Sequence, residues 1–153
     1  MFSAWEPATG ANFNSNQNLI RGVAWHGVRR FDDDRGSLVA FDNADLPFEM
    51  QRFFVVYADP PSVRAQHASA AEELLAVFAG SAICDLDNGS EKTTLRLDRR
   101  CPALWLRPGV WLRLRDFAHG TVIGVAASLA YRDTEQWDRP NPALLDRILA
   151  DGV

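Results

Sequence analysis

Residues 74–98 read LLAVFAGSAICDLDNGSEKTTLRLD, and the class of fold turns on whether this stretch is strand or helix. Its second half decides the matter. From Lys92 to Asp98 the chain alternates by two, with Thr93, Leu95 and Leu97 on one face and Lys92, Thr94 and Arg96 on the other, as in a half-buried strand. Before it stands Asn88-Gly89, a pair that favours a type I′ hairpin because both central positions need positive φ. The first half is less one-sided, since Ala, Glu and Leu in ASAAEELLAVF are good helix formers. A strand from about Glu73 is the better reading. A run ending Val-Phe-Ala-Gly80 and followed at once by SAICDLD predicts a hairpin about Gly80.

The same pattern spreads in both directions. Upstream, GVAWHGVRRF and SLVAF flank DDDRG, whose Asp and Gly residues suit a tight reversal, and QRFFVVY has the β-branched and aromatic content of a strand. Downstream, Pro108-Gly109 mark a turn inside ALWLRPGVWLRLRDF, and TVIGVAASLAY predicts a long strand buried on both faces. Only NPALLDRILADGV looks helical: Asn141 suits the N-cap, Pro142 the first turn, and Leu144, Leu145, Ile148 and Leu149 form one stripe. Short strands separated by turn residues predict an all-β jelly-roll sandwich or barrel with a short C-terminal helix, a fold that binds ligands in its mouth. The expected organisation is a flexible arm over 1–20, the β domain over 21–140 and a packed helix over 141–153.

At 153 residues the chain suits one domain with a sizeable core. A formal charge of -4 argues against a general nucleic-acid binder, which needs a basic face. The N-terminus lacks a basic start and apolar core, and no run approaches the ~18 apolar residues of a membrane span, so a soluble cytoplasmic protein is expected. Cys84 and Cys101 have no metal-type spacing and predict buried free thiols.

Three further signals lie in order along the chain: D-x-R-G-S-L at Asp33–Leu38, P-F-x-x-x-R at Pro47–Arg52, and P-x-x-W at Pro108–Trp111, followed by YRDTEQW at Tyr131–Trp137. Together with the 74–98 stretch, their order and spacing resemble the WxcM-like family of nucleotide-sugar 3,4-ketoisomerases, the FdtA-type cupins, over about Val28 to Trp137. The resemblance implies a cupin-type sandwich without metal or other cofactor, commonly a homodimer exchanging N-terminal strands, that binds a dTDP-linked 4-keto-6-deoxy sugar. It also implies a histidine pair in an R-G-x-H-A-H stretch, aided by a tyrosine from the neighbouring strand. Such a pair moves protons between C3 and the 3- and 4-oxygens through an enediol: a base of near-neutral pKa takes the proton α to a carbonyl while a donor stabilises the enediolate.

In VRAQHASAAEELL, Arg64 and His67 match the arginine and first histidine, but Ala65 replaces the glycine and Ser69 the second histidine. The distance from His67 to Gly80 is one residue shorter than in the family, and an ungapped register would leave neither histidine matched. Leu112 follows the P-x-x-W tryptophan where the family often has histidine, and Phe54 lies where tyrosine is usual, with Tyr57 supplying a hydroxyl nearby. His67 and Tyr57 are therefore the candidate base and acid; an exposed or locally bonded histidine is the alternative. Arg52, Arg64, Arg113 and Arg115 are candidates for a diphosphate, against solvated surface charge. Trp105 and Trp111 could stack on thymine or sugar, or pack the core. His26 and His119 are expected to be structural. Glu72 and Glu73 could replace lost proton-handling groups, or lie on an exposed strand edge. A non-catalytic cupin that binds a nucleotide sugar or another anion, or serves as a partner in glycan assembly, is the second functional reading.

Overall fold

The computed structural model describes residues 19–151, so the predicted N-terminal arm falls almost wholly outside the described residues. Two five-stranded antiparallel sheets face each other. The first has the order β1 (Val23–His26), β9 (Ala103–Leu106), β6 (Glu73–Ala79), β11 (Thr121–Ala127), β4 (Arg52–Ala58). The second runs β12 (Gln136–Trp137), β5 (Arg64–Ser69), β10 (Trp111–Arg115), β7 (Ser81–Asp87), β8 (Lys92–Asp98). A separate hairpin of β2 (Arg29–Asp33) and β3 (Gly36–Ala40) turns at Asp34-Arg35, as DDDRG predicts. Helix α1 (Pro142–Ala150) buries Leu145, and the Asn141 side chain accepts from the Leu144 amide to cap it.

The two sheets are covered differently, which explains the sequence pattern. The inner faces share a core that includes Leu75, Cys84, Leu86, Leu95, Leu112, Leu114, Ile123 and Val125. The first sheet has a second apolar layer on its outer face, where Leu74, Ala76 and Ala126 meet Val28, Val39, Phe41, Leu46, Phe48 and Met50. Strands β6 and β11 are thus buried on both sides and read as continuous apolar runs. This is why LLAVF carries no clean two-residue period and tolerates a helical reading. In the second sheet β7, β8 and β10 alternate between buried and more exposed residues, so their sequences alternate too.

The hairpin expected at Gly80 and the turn expected at Pro108-Gly109 both become corners between the sheets. Strands β6 and β7 do not pair; the chain leaves one sheet at Ala79 and enters the other at Ser81. Gly80 makes this step at φ +77°, and a Cβ there would lie 2.8 Å from the Thr121 Cα. Pro108-Gly109 likewise carries the chain from β9 to β10 in the opposite sheet. The Asn-Gly turn also differs from expectation. Asp87 pairs with Lys92, leaving a four-residue loop in which Gly89 alone has positive φ, at +97°. Buried Asn88 organises that loop: its carbonyl accepts from the Ser90 and Glu91 amides, and its amide donates to the Arg21 carbonyl. That long-range bond outweighs the two-residue turn preference.

Replacing Gly80 with Ala should destabilise the fold by about 2 kcal/mol or more, because a left-handed residue would acquire a side chain against backbone. Urea unfolding checks this; an unchanged midpoint would mean that the corner is not closely packed.

Candidate active site

A cavity of about 110 Å³ opens between the inner faces of the two sheets. The first sheet contributes Phe54 and Val56 from β4, Glu73 and Leu75 from β6, and Val125 from β11. The second contributes Arg64, Ala65 and His67 from β5, and Leu112 and Leu114 from β10. Leu112, the residue after the P-x-x-W tryptophan, is the register partner of His67 and places a buried alkyl side chain beside it.

His67 owes its place to an irregularity in β5. Ala65 pairs with Arg113 and His67 with Leu112, adjacent residues on β10, so Gln66 is an extra residue bulged from the ladder. Both Ala65 and Gln66 are left-handed, at φ +68° and +66°. The positive φ at Ala65 gives a physical reason for glycine in the R-G-x-H pattern, and it supports the register that equates His67 with the first histidine. Ser69, two residues on, is buried, and its hydroxyl accepts from the Ala71 amide at 3.0 Å. It caps the turn into β6 and does not line the cavity.

Arg52 and Glu73 flank one residue of β11, the strand between β4 and β6. Ala127 pairs with Arg52 on one side and with Glu73 on the other, which puts the three side chains on the inward face. The Arg52 guanidinium lies over Phe54 at 4.3 Å and over Tyr131 at 4.9 Å. Glu73 is only 7% exposed and lines the cavity. Burial pushes that carboxyl up to about 7, with Arg52 opposing. His67 is moved downward from 6.5, chiefly by burial; the Ala65 backbone pulls the other way and Arg52 adds to the lowering. Burial therefore favours the uncharged form of both groups within one cavity.

Of the two alternatives for Glu73, the exposed strand edge is excluded by its burial. Its parity with inward Leu75 and Val77 was the available signal, masked because β6 is apolar on both faces. Glu72 faces the other way, accepting from the Trp105 indole and pairing with Arg107, both at 3.1 Å. Trp105 is thus a packing residue of the outer layer, with Arg107 above its ring. Tyr57 is also corrected: it leaves β4 by the outer face with Phe53 and Val55, is 76% exposed, and has the sheet between it and His67.

The same alternation removes Arg113 and Arg115 from the cavity, since the inward positions of β10 are Leu112 and Leu114. Both guanidiniums bind Asp85 on the outer face, at 2.8 and 2.7 Å, and Thr94 donates to the same carboxylate. Arg115 above all holds that carboxyl far below its usual range. Trp111 lines an outer groove with Lys92, Arg113 and Arg139. Of the predicted diphosphate ligands, Arg52 and Arg64 remain beside the site. His26 is structural as expected, its Nε2 lying 2.7 Å from the Asp45 carbonyl, while His119 is exposed beside Asp59. Cys84 is buried, but Cys101 is only half-buried. No group of three or more His, Cys, Asp or Glu suited to a metal occurs among the described residues.

Fold and cavity together define a cupin-type β-sandwich with an imidazole in its interior. The chain belongs to the WxcM-like, C-terminal family (FdtA), whose profile matches residues 21–140. It is 32% identical over 110 residues to the TDP-4-oxo-6-deoxy-alpha-D-glucose-3,4-oxoisomerase of Aneurinibacillus thermoaerophilus, a match covering 70% of this chain and 79% of that protein. The solved WlaRB TDP-quinovose 3,4-ketoisomerase of Campylobacter jejuni is 30% identical, with a TM-score of 0.67 over 73% of this chain and 88% of that one. QdtA of Thermoanaerobacterium thermosaccharolyticum, a sugar 3,4-ketoisomerase solved with TDP, shares the fold at a TM-score of 0.71 and 24% identity, covering 88% of this chain and 100% of that one.

Two stability measurements probe this geometry. Because the Glu73 pKa is raised on folding, its stabilising contribution is full below about pH 4.5 and is lost as pH rises through about 7. Replacement of Glu73 by Gln should therefore gain on wild type by on the order of 3 kcal/mol between pH 4.5 and 8, as read from urea melts. A constant difference across that range would contradict the raised pKa of the buried carboxyl. Ala65→Gly should stabilise by up to about 1 kcal/mol by relieving the left-handed backbone; a loss of stability would show that the strain is absent.

Proposed function

We propose that this protein is a nucleotide-sugar 3,4-ketoisomerase that acts on a TDP-linked 4-keto-6-deoxy sugar, with His67 as the base. The observation that carries the reading is the inward His67, held neutral by burial within the cavity of a fold whose relatives catalyse this reaction. A neutral imidazole can take the C3 proton, which is acidified by the adjacent C4 carbonyl, and return it at C4 after the enediol has formed. Solvent exclusion by Leu75, Leu112, Leu114 and Val125 strengthens every charge interaction along that path.

The cavity is smaller than the ~300–1,000 Å³ of a pocket that encloses a whole ligand, so only the reacting end of a nucleotide sugar enters it. The diphosphate then lies at the mouth, where Arg64 is exposed and Arg52 is stacked between Phe54 and Tyr131. Two guanidiniums there give fork geometry to phosphate oxygens. The same reading includes a homodimer, supported by the exposed Phe53, Val55 and Tyr57 on edge strand β4, an apolar stripe that a second copy would cover.

Incubation with TDP-4-keto-6-deoxyglucose in deuterated water, followed by NMR, should show conversion to the 3-keto isomer with solvent deuterium entering the sugar at the C3 or C4 position. His67→Asn should slow this by about 10²–10⁴-fold. Should wild type bind TDP, by thermal shift, yet neither exchange nor convert any such sugar, the protein is a binding cupin and the isomerase reading is lost.

A further inference from the structure

The isomerisation has to move two protons. One passes from C3 to C4, and the other leaves the 3-hydroxyl as the 4-oxygen gains one. His67 accounts for the first, and the residues at the two expected histidine partners cannot handle the second: Ser69 caps a turn and Leu112 is a hydrocarbon. Among the residues lining the cavity, Arg64, His67 and Glu73 alone carry titratable groups, and an arginine does not give up its proton in this range.

Glu73 and His67 come from opposite sheets and line the same cavity, so a group entering it meets both side chains. Glu73 is a buried carboxyl that lines the cavity, and the nearby charge acting on it is that of Arg52. Arg52 is its neighbour across Ala127.

Resting on the isomerase reading, we propose that Glu73 is the second proton-transfer group of the reaction, working on the oxygens while His67 works on the carbons. As His67 takes the C3 proton, the Glu73 acid donates to the 4-oxygen, giving the neutral enediol, an imidazolium and a carboxylate. The carboxylate then takes the proton of the 3-hydroxyl as the imidazolium returns its proton to C4. The C3–H and O3–H bonds are broken, C4–H and O4–H are formed, and both side chains regain their starting protonation. No oxidant or co-reactant is required. The carboxyl pKa near 7 fits a group that must donate and accept in one turnover.

The test is Glu73→Gln, which keeps the shape of the side chain and removes its proton. Turnover should fall by 10²-fold or more with KM changed by less than about threefold, and the alkaline limb of the wild-type pH profile, where the acid form is lost, should vanish. Glu73→Asp should recover part of the rate. Site-resolved ¹³C NMR of the wild-type carboxyl supplies a reading independent of any variant's folding: titration close to 7 supports the assignment, and titration near 4.5 overturns it. A Gln variant within threefold of wild-type turnover, with an unaltered pH profile, also overturns it while leaving the isomerase reading intact. Absence of conversion by wild type that still binds TDP instead removes the isomerase reading itself, and the role of Glu73 with it.

Discussion

Successive side chains of an extended strand leave by opposite faces, and that two-residue parity governs everything placed at this site. On β4 it sends Arg52, Phe54 and Val56 toward the cavity and Phe53, Val55 and Tyr57 out. On β10 it sends Leu112 and Leu114 inward and leaves Arg113 and Arg115 to Asp85. On β6 it turns Glu73 in and Glu72 out, so neighbouring carboxylates have unrelated roles. The bulge at Gln66 resets that parity immediately before His67.

Burial then divides the labour between the two titratable groups. Desolvation disfavours charge, so it lowers the imidazole and raises the carboxyl, bringing a base and an acid into their uncharged forms in one enclosure. Arg52 reinforces the first effect and moderates the second. Two groups driven toward each other's range in this way can exchange protons with a substrate at neutral pH, and the arrangement is obtained without a pair of histidines. The loss of the second histidine, which from sequence suggests a silent member of the family, has a physical counterweight that motif comparison does not reveal.

The sandwich itself was legible in the residues. Alternation in KTTLRLD, the DDDRG reversal and the Asn141-Pro142 helix start have local causes and appear where expected, and the strand predicted over TVIGVAASLAY forms but ends at Ala127. The failures have a common cause. Gly80 and Pro108-Gly109 signal a break in direction, yet nothing local states whether the next strand returns beside its predecessor or crosses to the other sheet. The four-residue loop at Asn88 depends on Arg21, distant in sequence, which the Asn-Gly pair cannot anticipate.

What the sequence determined by itself was the all-β class, the family frame over its middle, and the presence of His67, because these rest on local periodicity, turn chemistry and motif order. Which residues share a cavity was decided only by the tertiary structure. His67 and Glu73 are six residues apart in the chain, but they belong to opposite sheets, and the inward face of each is defined by what packs on the other side. Tyr57, Trp105, Arg113 and Arg115 had side chains suited to a nucleotide sugar and the wrong parity to face its reacting end. Side-chain chemistry is a property of the residue; orientation is a property of the sheet pair, and here the second selected among candidates offered by the first.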